Sequence, residues 1–325
     1  MNEEVVQDLL SRLKDLKSAI HQVIIGQDEV LDQLIIGLLA SGHVLLEGVP
    51  GLAKTLMIQS LSRALDLSFK RIQFTPDLMP SDILGTEILQ EDASGKRFFK
   101  FAPGPVFTNM LLADEINRTP PKTQSALLEL MQEYKVTYAG ETHALPRPFF
   151  LLATQNPIEQ SGTFPLPEAQ VDRFLLHIKV AYPSADEEEK ILATTTGKLN
   201  QEVPSIYSAA EIQRLQELCR EVHIDSALIS SISRLIRSTR PATSEVSEVR
   251  DYVDWGAGPR AGQALILAAK GHALLRGRYA VIPEDIVQVL SPALRHRIIL
   301  NFRSLSEKID VLDIIQACAT HANLD

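Results

Sequence analysis

Nine consecutive residues, Glu47-Gly48-Val49-Pro50-Gly51-Leu52-Ala53-Lys54-Thr55, carry the clearest chemistry in the sequence. They follow a short apolar run and lead into a helical stripe, so backbone N–H groups and a helix N-terminus would face an anion. In that arrangement Lys54 meets the β and γ phosphates of a nucleotide and Thr55 ligates Mg²⁺. Ala53 stands where glycine usually precedes such a lysine, which puts a methyl group near the phosphates. A glycine-rich turn that merely ends a strand is the alternative. The run Met110-Leu111-Leu112-Ala113-Asp114-Glu115 weighs against it, because an apolar strand ending in two acids sets Asp114 near the Mg²⁺ shell and Glu115 beside an attacking water. A nucleotide-gated switch needs only Asp114, whereas a general base at Glu115 has a use only if water is activated.

Three further positions fit the same chemistry. Asn156 ends the apolar run Leu151-Leu152-Ala153-Thr154-Gln155 and either orients the water or makes the turn before Pro157. It is followed by Pro-Ile-Glu, and the Asn-Lys-x-Asp segment of GTPases is absent, so adenine is expected over guanine. Arg173, in Gln170-Val171-Asp172-Arg173-Phe174, and Arg260, in Gly258-Pro259-Arg260, are either surface arginines or γ-phosphate neutralisers. A transition-state arginine is worth about 10³–10⁵ in rate.

The elements that must position these residues can be read from hydrophobic periodicity. Short apolar runs recur at His43–Glu47, Phe69–Phe74, Met110–Asp114, Phe149–Thr154 and Phe174–Val180, and only Phe69–Phe74 carries charge inside it, at Lys70 and Arg71. Near-continuous hydrophobicity suits strands covered on both faces. Helical stripes fall between them, with Ile58, Leu61 and Leu65 in Thr55–Asp66 and Leu127, Leu130 and Met131 in Thr123–Tyr134. This alternation predicts an α/β fold with a parallel sheet. After Pro183 the signals become helical: Ser184 with Glu187 and Ser208 with Glu211 match capping boxes, Ile229, Ile232, Leu235 and Ile236 form a stripe, Leu265–Leu275 another, and Pro283-Glu284-Asp285 reads as an acidic first turn. Of 18 prolines, twelve lie from Pro76 to Pro183 and five follow, which sets the expected division at 1–183 for the nucleotide-binding α/β domain and 184–325 for a helical domain.

Composition bounds the function classes. The 325 residues are 45% hydrophobic and 22% charged with net charge −9, values that exclude wholesale disorder and argue against a nucleic-acid coat. The longest uncharged stretch, Gln33–Leu46, falls short of the ~20 residues needed to span a bilayer. Met1-Asn2-Glu3-Glu4 has neither the positive flank nor the apolar run of a signal peptide, so the cytoplasm is the expected location. Cys219 and Cys318 stand in no metal or redox spacing and read as reduced, buried thiols, and the eight histidines form no zinc-binding pattern. Trp255, the only tryptophan, is expected at an interface or in lid packing.

Together these residues resemble the MoxR family of AAA+ ATPases. The matching segments are Gly48–Thr55 with its Ala-Lys-Thr ending, Leu112-Ala113-Asp114-Glu115-Ile116-Asn117-Arg118, Ala153-Thr154-Gln155-Asn156-Pro157, Pro167-Glu168-Ala169-Gln170 with Asp172-Arg173-Phe174, and Gly258-Pro259-Arg260. They span about Ile25 to Phe302. The resemblance implies a five-stranded parallel sheet in the order 5-1-4-3-2, an all-α lid, ATP and Mg²⁺ at a subunit interface, and a homo-hexameric ring. It also implies Walker A for Gly48–Thr55, Walker B for Asp114 and Glu115, sensor 1 for Asn156, the arginine finger for Arg173 and sensor 2 for Arg260. Ile25-Gly26-Gln27 resembles the segment that lies against adenine. Arg118 is open as a second interface arginine, and Arg260 is open between its own ATP and a neighbour's. Gly85–Pro105 resembles the helix-2 insert and Lys135–Leu145 the hairpin before sensor 1; Phe98, Phe99 and Phe101 either pack on their own sheet or reach a pore. The resemblance implies chaperone-like work on protein clients, commonly with von Willebrand factor A domain partners and including insertion of metal cofactors. Two other readings compete: a nucleic-acid-stimulated motor, which the acidic charge argues against, and an ATP-gated scaffold without useful turnover, which Glu115 argues against.

Overall fold

The computed structural model describes residues 3–138, 140–158, 162–195 and 202–324; Met1, Asn2 and Ala139, on which parts of the sequence reading fall, lie outside the described residues. Helices α1 (Glu3–His21) and α2 (Asp28–Leu39) lead into β1 (Val44–Glu47), the glycine-containing loop and α3 (Lys54–Ala64). Next come β2 (Phe69–Gln73), the single turn α4 (Pro80–Leu84) and a hairpin of β3 (Gly85–Glu91) with β4 (Arg97–Pro103). Then β5 (Met110–Asp114) and α5 (Pro121–Glu133) precede a second hairpin, β6 (Lys135–Tyr138) with β7 (Glu141–Ala144). The half closes with β8 (Phe150–Gln155), α6 (Glu168–Val171) and β9 (Leu176–Lys179).

The main sheet runs β2-β5-β8-β1-β9 with every neighbouring pair parallel. Counting only these five strands, that is 5-1-4-3-2 from the β9 edge. Because successive side chains point to opposite faces, each strand divides its apolar residues between two cores. Val44, Leu46, Leu112, Phe150 and Leu152 join the core that holds α1, α2 and α3. Leu45, Leu111, Ala113, Leu151 and Ala153 join the other, against Leu127, Leu128, Leu130 and Met131 of α5. The uninterrupted apolar runs are therefore covered on both faces, as expected. Buried His43 links sheet to helix: its Nδ1 lies 3.1 Å from Leu151 N and its Nε2 3.2 Å from Met131 O. Burial lowers its pKa to about 4, so it stays neutral.

From Ala185 onward the described residues are mainly helical: α7 (Ala185–Thr195), α8 (Ala209–Glu221), α9 (Ser226–Ser238), α10 (Ser247–Tyr252), β10 (Val253–Trp255), α11 (Pro259–Leu275), α12 (Pro283–Leu294), β11 (Ile299–Leu300), α13 (Phe302–Glu307) and α14 (Val311–His321). β10 and β11 pair antiparallel, a small ribbon added to the otherwise helical lid. Ser208 and Glu211 form the expected capping box on α8. The α9 stripe narrows to Ile232, Leu235 and Ile236, since Ile229 is exposed. Cys219 and Cys318 are free and buried, and burial pushes the Cys219 thiol up to about 12.

Two features tie the lid together and to the rest. Asp285, at the start of α12, is 0% exposed and accepts hydrogen bonds from Arg278 Nη1 at 2.7 Å and Ile282 N at 2.9 Å, with His272 Nδ1 2.6 Å away. Burial alone would raise its pKa, but the bonds from His272 and Arg278 bring it down to about 2. One apolar cluster also runs without a break from Leu9 and Ile20 of α1, past the sheet, to Ala268 of α11, Leu290 of α12 and Ile315 of α14. Tyr207 Oη donates to Leu9 O at 2.6 Å within it.

Candidate nucleotide site

The loop after β1 takes its shape from two left-handed residues. Gly51 has φ 87°, and Ala53 has φ 53° and ψ 20° immediately before α3. A left-handed alanine costs about 1–2 kcal/mol relative to the right-handed region, so the residue that departs from the usual glycine holds the glycine's conformation. Gly48 is needed for space: a Cβ there would stand 2.9 Å from Val180 Cβ. Lys54 Nζ donates to Gly48 O and, at 3.0 Å, to Val49 O. Burial lowers the Lys54 pKa, and Asp114 and Glu115 pull it back up.

A cavity of about 420 Å³ opens beyond the carboxyl ends of the strands, where open α/β sheets bind ligands. Pro50, Gly51, Leu52 and Ala53 line it from the loop, Lys54 and Thr55 from the start of α3, and Asp114, Glu115 and Asn156 from the ends of β5 and β8. Five sequence-predicted positions with chemistry, Lys54, Thr55, Asp114, Glu115 and Asn156, are thus gathered in one place. Gly48 and Val49 contribute carbonyls to Lys54 rather than walls. The Thr55 hydroxyl and the Asp114 carboxylate on one cavity are hard oxygen donors, a set that suits Mg²⁺.

The two acids are held by Thr154, Arg71 and Gln73, to which sequence reasoning gave no role, and by Arg118, which it left open as an interface arginine. Thr154 Oγ1 donates to Asp114 Oδ1 at 2.5 Å and accepts from the Glu115 N–H at 2.9 Å. Arg71 grips Asp114 Oδ2 with Nε at 3.0 Å and Nη2 at 2.6 Å. Gln73 Nε2 donates to Glu115 Oε2 at 2.8 Å, and Arg118 Nε lies 3.1 Å from the same oxygen. Glu115 itself sits at φ 57°. Asn156 is buried, its Oδ1 accepting from Ile158 N at 3.2 Å. The one available signal for Arg71 was its charge inside an otherwise strand-like run.

A second cavity, of about 320 Å³, adjoins the first through Pro50, Gly51, Leu52 and Ala53. Ile25 and Gln27 form one side of it, and Tyr182, Ile191 and Leu192 the other, leaving an apolar slot suited to a flat base. Gly26 is not on its wall; it turns the chain at φ 67° where a Cβ would run into Glu187. Tyr182 was not foreseen as a wall residue and is 72% exposed.

Neither Arg173 nor Arg260 joins these cavities. Arg173 Nη1 donates to Leu128 O at 3.0 Å, and Arg260 Nη1 stands 3.8 Å from Asp172 Oδ2. Trp255 is exposed rather than packed in the lid. Of the three phenylalanines, Phe101 stacks on His143 with ring centroids 4.3 Å apart, joining the two hairpins, while Phe98 and Phe99 are exposed, Phe99 at 68%.

A phosphate loop after the first strand of this sheet, paired acids ending the third and a helical lid define an AAA+ ATPase. Residues 43–176 match the model of the ATPase family associated with various cellular activities, and residues 246–318 that of the AAA lid domain. Chaperone MoxR1 of Mycobacterium tuberculosis is 45% identical over 307 residues, 93% of this chain and 80% of that protein. Protein MoxR of Paracoccus denitrificans is 32% identical over 313 residues, 91% of each. A crystal structure from Cytophaga hutchinsonii matches with a TM-score of 0.91 and 42% identity, covering 98% of this chain and 96% of that one. The chain belongs to the MoxR family of AAA+ ATPases. No helix among the described residues is long and apolar enough to cross a membrane.

Proposed function

We propose that the chain hydrolyses ATP in a Mg²⁺-dependent manner, as a homo-hexameric ring, to remodel or activate protein clients. The observation that carries the reading is the convergence of Lys54, Thr55, Asp114, Glu115 and Asn156 on one cavity. Lys54 leaves its loop carbonyls for the β and γ phosphates, Glu115 takes a proton from the attacking water, and Asn156 aligns that water. Thr55 and Asp114 would hold Mg²⁺, which would supply charge neutralisation on the phosphates. Glu115 must first part from Gln73 and Arg118, which makes hydrolysis conditional on rearrangement at the site. Assembly is supported by two arginines that line neither of the chain's two nucleotide cavities: Arg173 as finger and Arg260 as sensor 2 each serve the ATP of a neighbour.

The division falls near Pro183, with the ATP-binding part before it and the lid after it. Client contact is assigned to the β3–β4 hairpin, whose exposed Phe98 and Phe99 lie beyond the Phe101–His143 stack. The chaperone name of the M. tuberculosis relative supports protein clients. Von Willebrand factor A domain proteins, with metal-cofactor insertion as one outcome, are the partner class of choice, and the cytoplasm is the place of action. Glu115→Gln tests the reading: phosphate release falls about 10²–10⁴-fold while a fluorescent ATP analogue still binds, and the stalled protein retains a client in affinity capture. Equal, near-zero turnover in wild type and variant would instead favour a scaffold. Strong, salt-sensitive stimulation by DNA or RNA would favour a nucleic-acid motor.

A further inference from the structure

Arg297 lies in the lid, three residues beyond the end of α12, and its side chain is 2% exposed. A guanidinium has five N–H donors in a rigid fork, and here every one has a partner. Nε donates to Asp172 Oδ1 at 2.8 Å, Nη2 to Asp172 O at 3.0 Å and Phe174 O at 2.6 Å, and Nη1 to Leu175 O at 3.2 Å and to Ala293 O. Four of the five bonds therefore go to the segment that carries Arg173. His296 Nε2 adds a contact of 3.2 Å to Phe174 O. The second oxygen of Asp172 faces Arg260, also from the lid, at 3.8 Å. The backbone on both sides of Arg173 is thus gripped by one lid residue, and the aspartate before it is shared between two.

We infer that Arg297 is a positioning residue: it fixes the Asp172–Leu175 segment so that Arg173 is presented to the neighbouring subunit, and it makes that presentation follow the lid of the same subunit. The inference rests on the proposed role of Arg173 as an arginine finger. A buried guanidinium with all donors satisfied holds a backbone segment rigidly, and a displacement of about 1 Å at a catalytic group costs about 10²-fold in rate. Lysine has three donors and no fork, and does not reproduce the grip.

The test is phosphate release from mixed rings of full-length protein. Arg297→Met alone should lose about 10²-fold in kcat while binding a fluorescent ATP analogue within about twofold of wild type, since its own loop and acids are untouched. Mixed in equal amounts with Lys54→Ala, which keeps a working finger but no ATP site, it should recover roughly a quarter of wild-type activity, the share of interfaces in a random ring that pair an intact site with an intact finger. Mixed with Arg173→Ala it should recover nothing. Asp172→Asn keeps the backbone acceptors and removes the carboxylate's charge toward Arg297 and Arg260, both lid residues of the same subunit, so it secures the test if Arg297→Met folds poorly. Its expected loss is smaller, about tenfold, with the same complementation pattern. If Arg173→Ala with Lys54→Ala recovers activity but neither Arg297→Met nor Asp172→Asn does, the positioning role is overturned and the finger stands. If Arg173→Ala with Lys54→Ala itself fails, the finger reading falls, and the inference with it.

Discussion

Thr154→Val isolates the link between fold and chemistry, because valine keeps the shape of threonine and removes only the hydroxyl. Thr154 is 2% exposed and its hydroxyl makes two bonds, donating to Asp114 Oδ1 at 2.5 Å and accepting from Glu115 N at 2.9 Å. Losing a bond to a charged acceptor costs about 1.5–3 kcal/mol, and leaving a partly buried N–H unpaired costs about 1 kcal/mol or more. Asp114 keeps Arg71, which offsets part of the first term, so a total of about 2–3 kcal/mol is expected. Both acids lose a common anchor, and turnover should fall about tenfold to 10²-fold with little change in KM, since neither acid is asked to bind the base. The assays are urea unfolding followed by circular dichroism, comparing midpoints at equal slope, and steady-state phosphate release. A variant within about 0.5 kcal/mol of wild type and with unchanged kcat would show that the hydroxyl does not organise the two acids.

Other residues give separate expectations. Asp285 has a folded pKa of about 2, below the ordinary carboxylate value, so its contribution is fully present above about pH 4 and is lost as pH falls toward 2. It amounts to about 2 kcal/mol by linkage, and Asp285→Asn should abolish this part of the acid sensitivity while destabilising the lid by about 3 kcal/mol near neutrality; urea midpoints across the acid range read both. Ala53→Gly relieves about 1–2 kcal/mol of left-handed strain and returns about 0.4–1 kcal/mol as unfolded-chain entropy. A thermal melt should therefore show a small gain, and a clear loss would contradict the loop conformation. Phe99→Ala should leave stability within about 0.5 kcal/mol and ATP binding intact, yet lower client retention by the Glu115→Gln protein. Unchanged retention would remove the hairpin from client contact.

The sheet was legible because its strands are buried on both faces and so read as unbroken apolar runs, with the phosphate loop and the acids attached to their ends in sequence. Lys54, Thr55, Asp114, Glu115 and Asn156 could be named because each lies at the end of its strand or in the loop and helix start directly after it. Arg71 and Gln73 could not be given a role that way, since their contacts depend on β2 lying beside β5 with Gln73 opposite Asp114. Thr154 was hidden for another reason: in a strand covered on both sides a threonine passes for one more small residue, and only the position of its hydroxyl between two acids sets it apart. Tyr182 and Leu192 line the base-sized slot together with Ile25 and Pro50, which lie far away in the chain, a tertiary meeting with no local signature.

The apolar cluster that passes from α1 through the sheet to α14 has a consequence for inheritance and engineering. A lid with its own sealed core could be cut out or exchanged among relatives, but this one completes its interior with side chains from the opposite end of the chain. A graft that kept only the later helices would bring half of a packing solution, exposing apolar surface on both halves. Chimeras should tolerate junctions only when α1 and α2 travel with the lid they fit, so N-terminal helices and lid are expected to have changed together as lineages diverged.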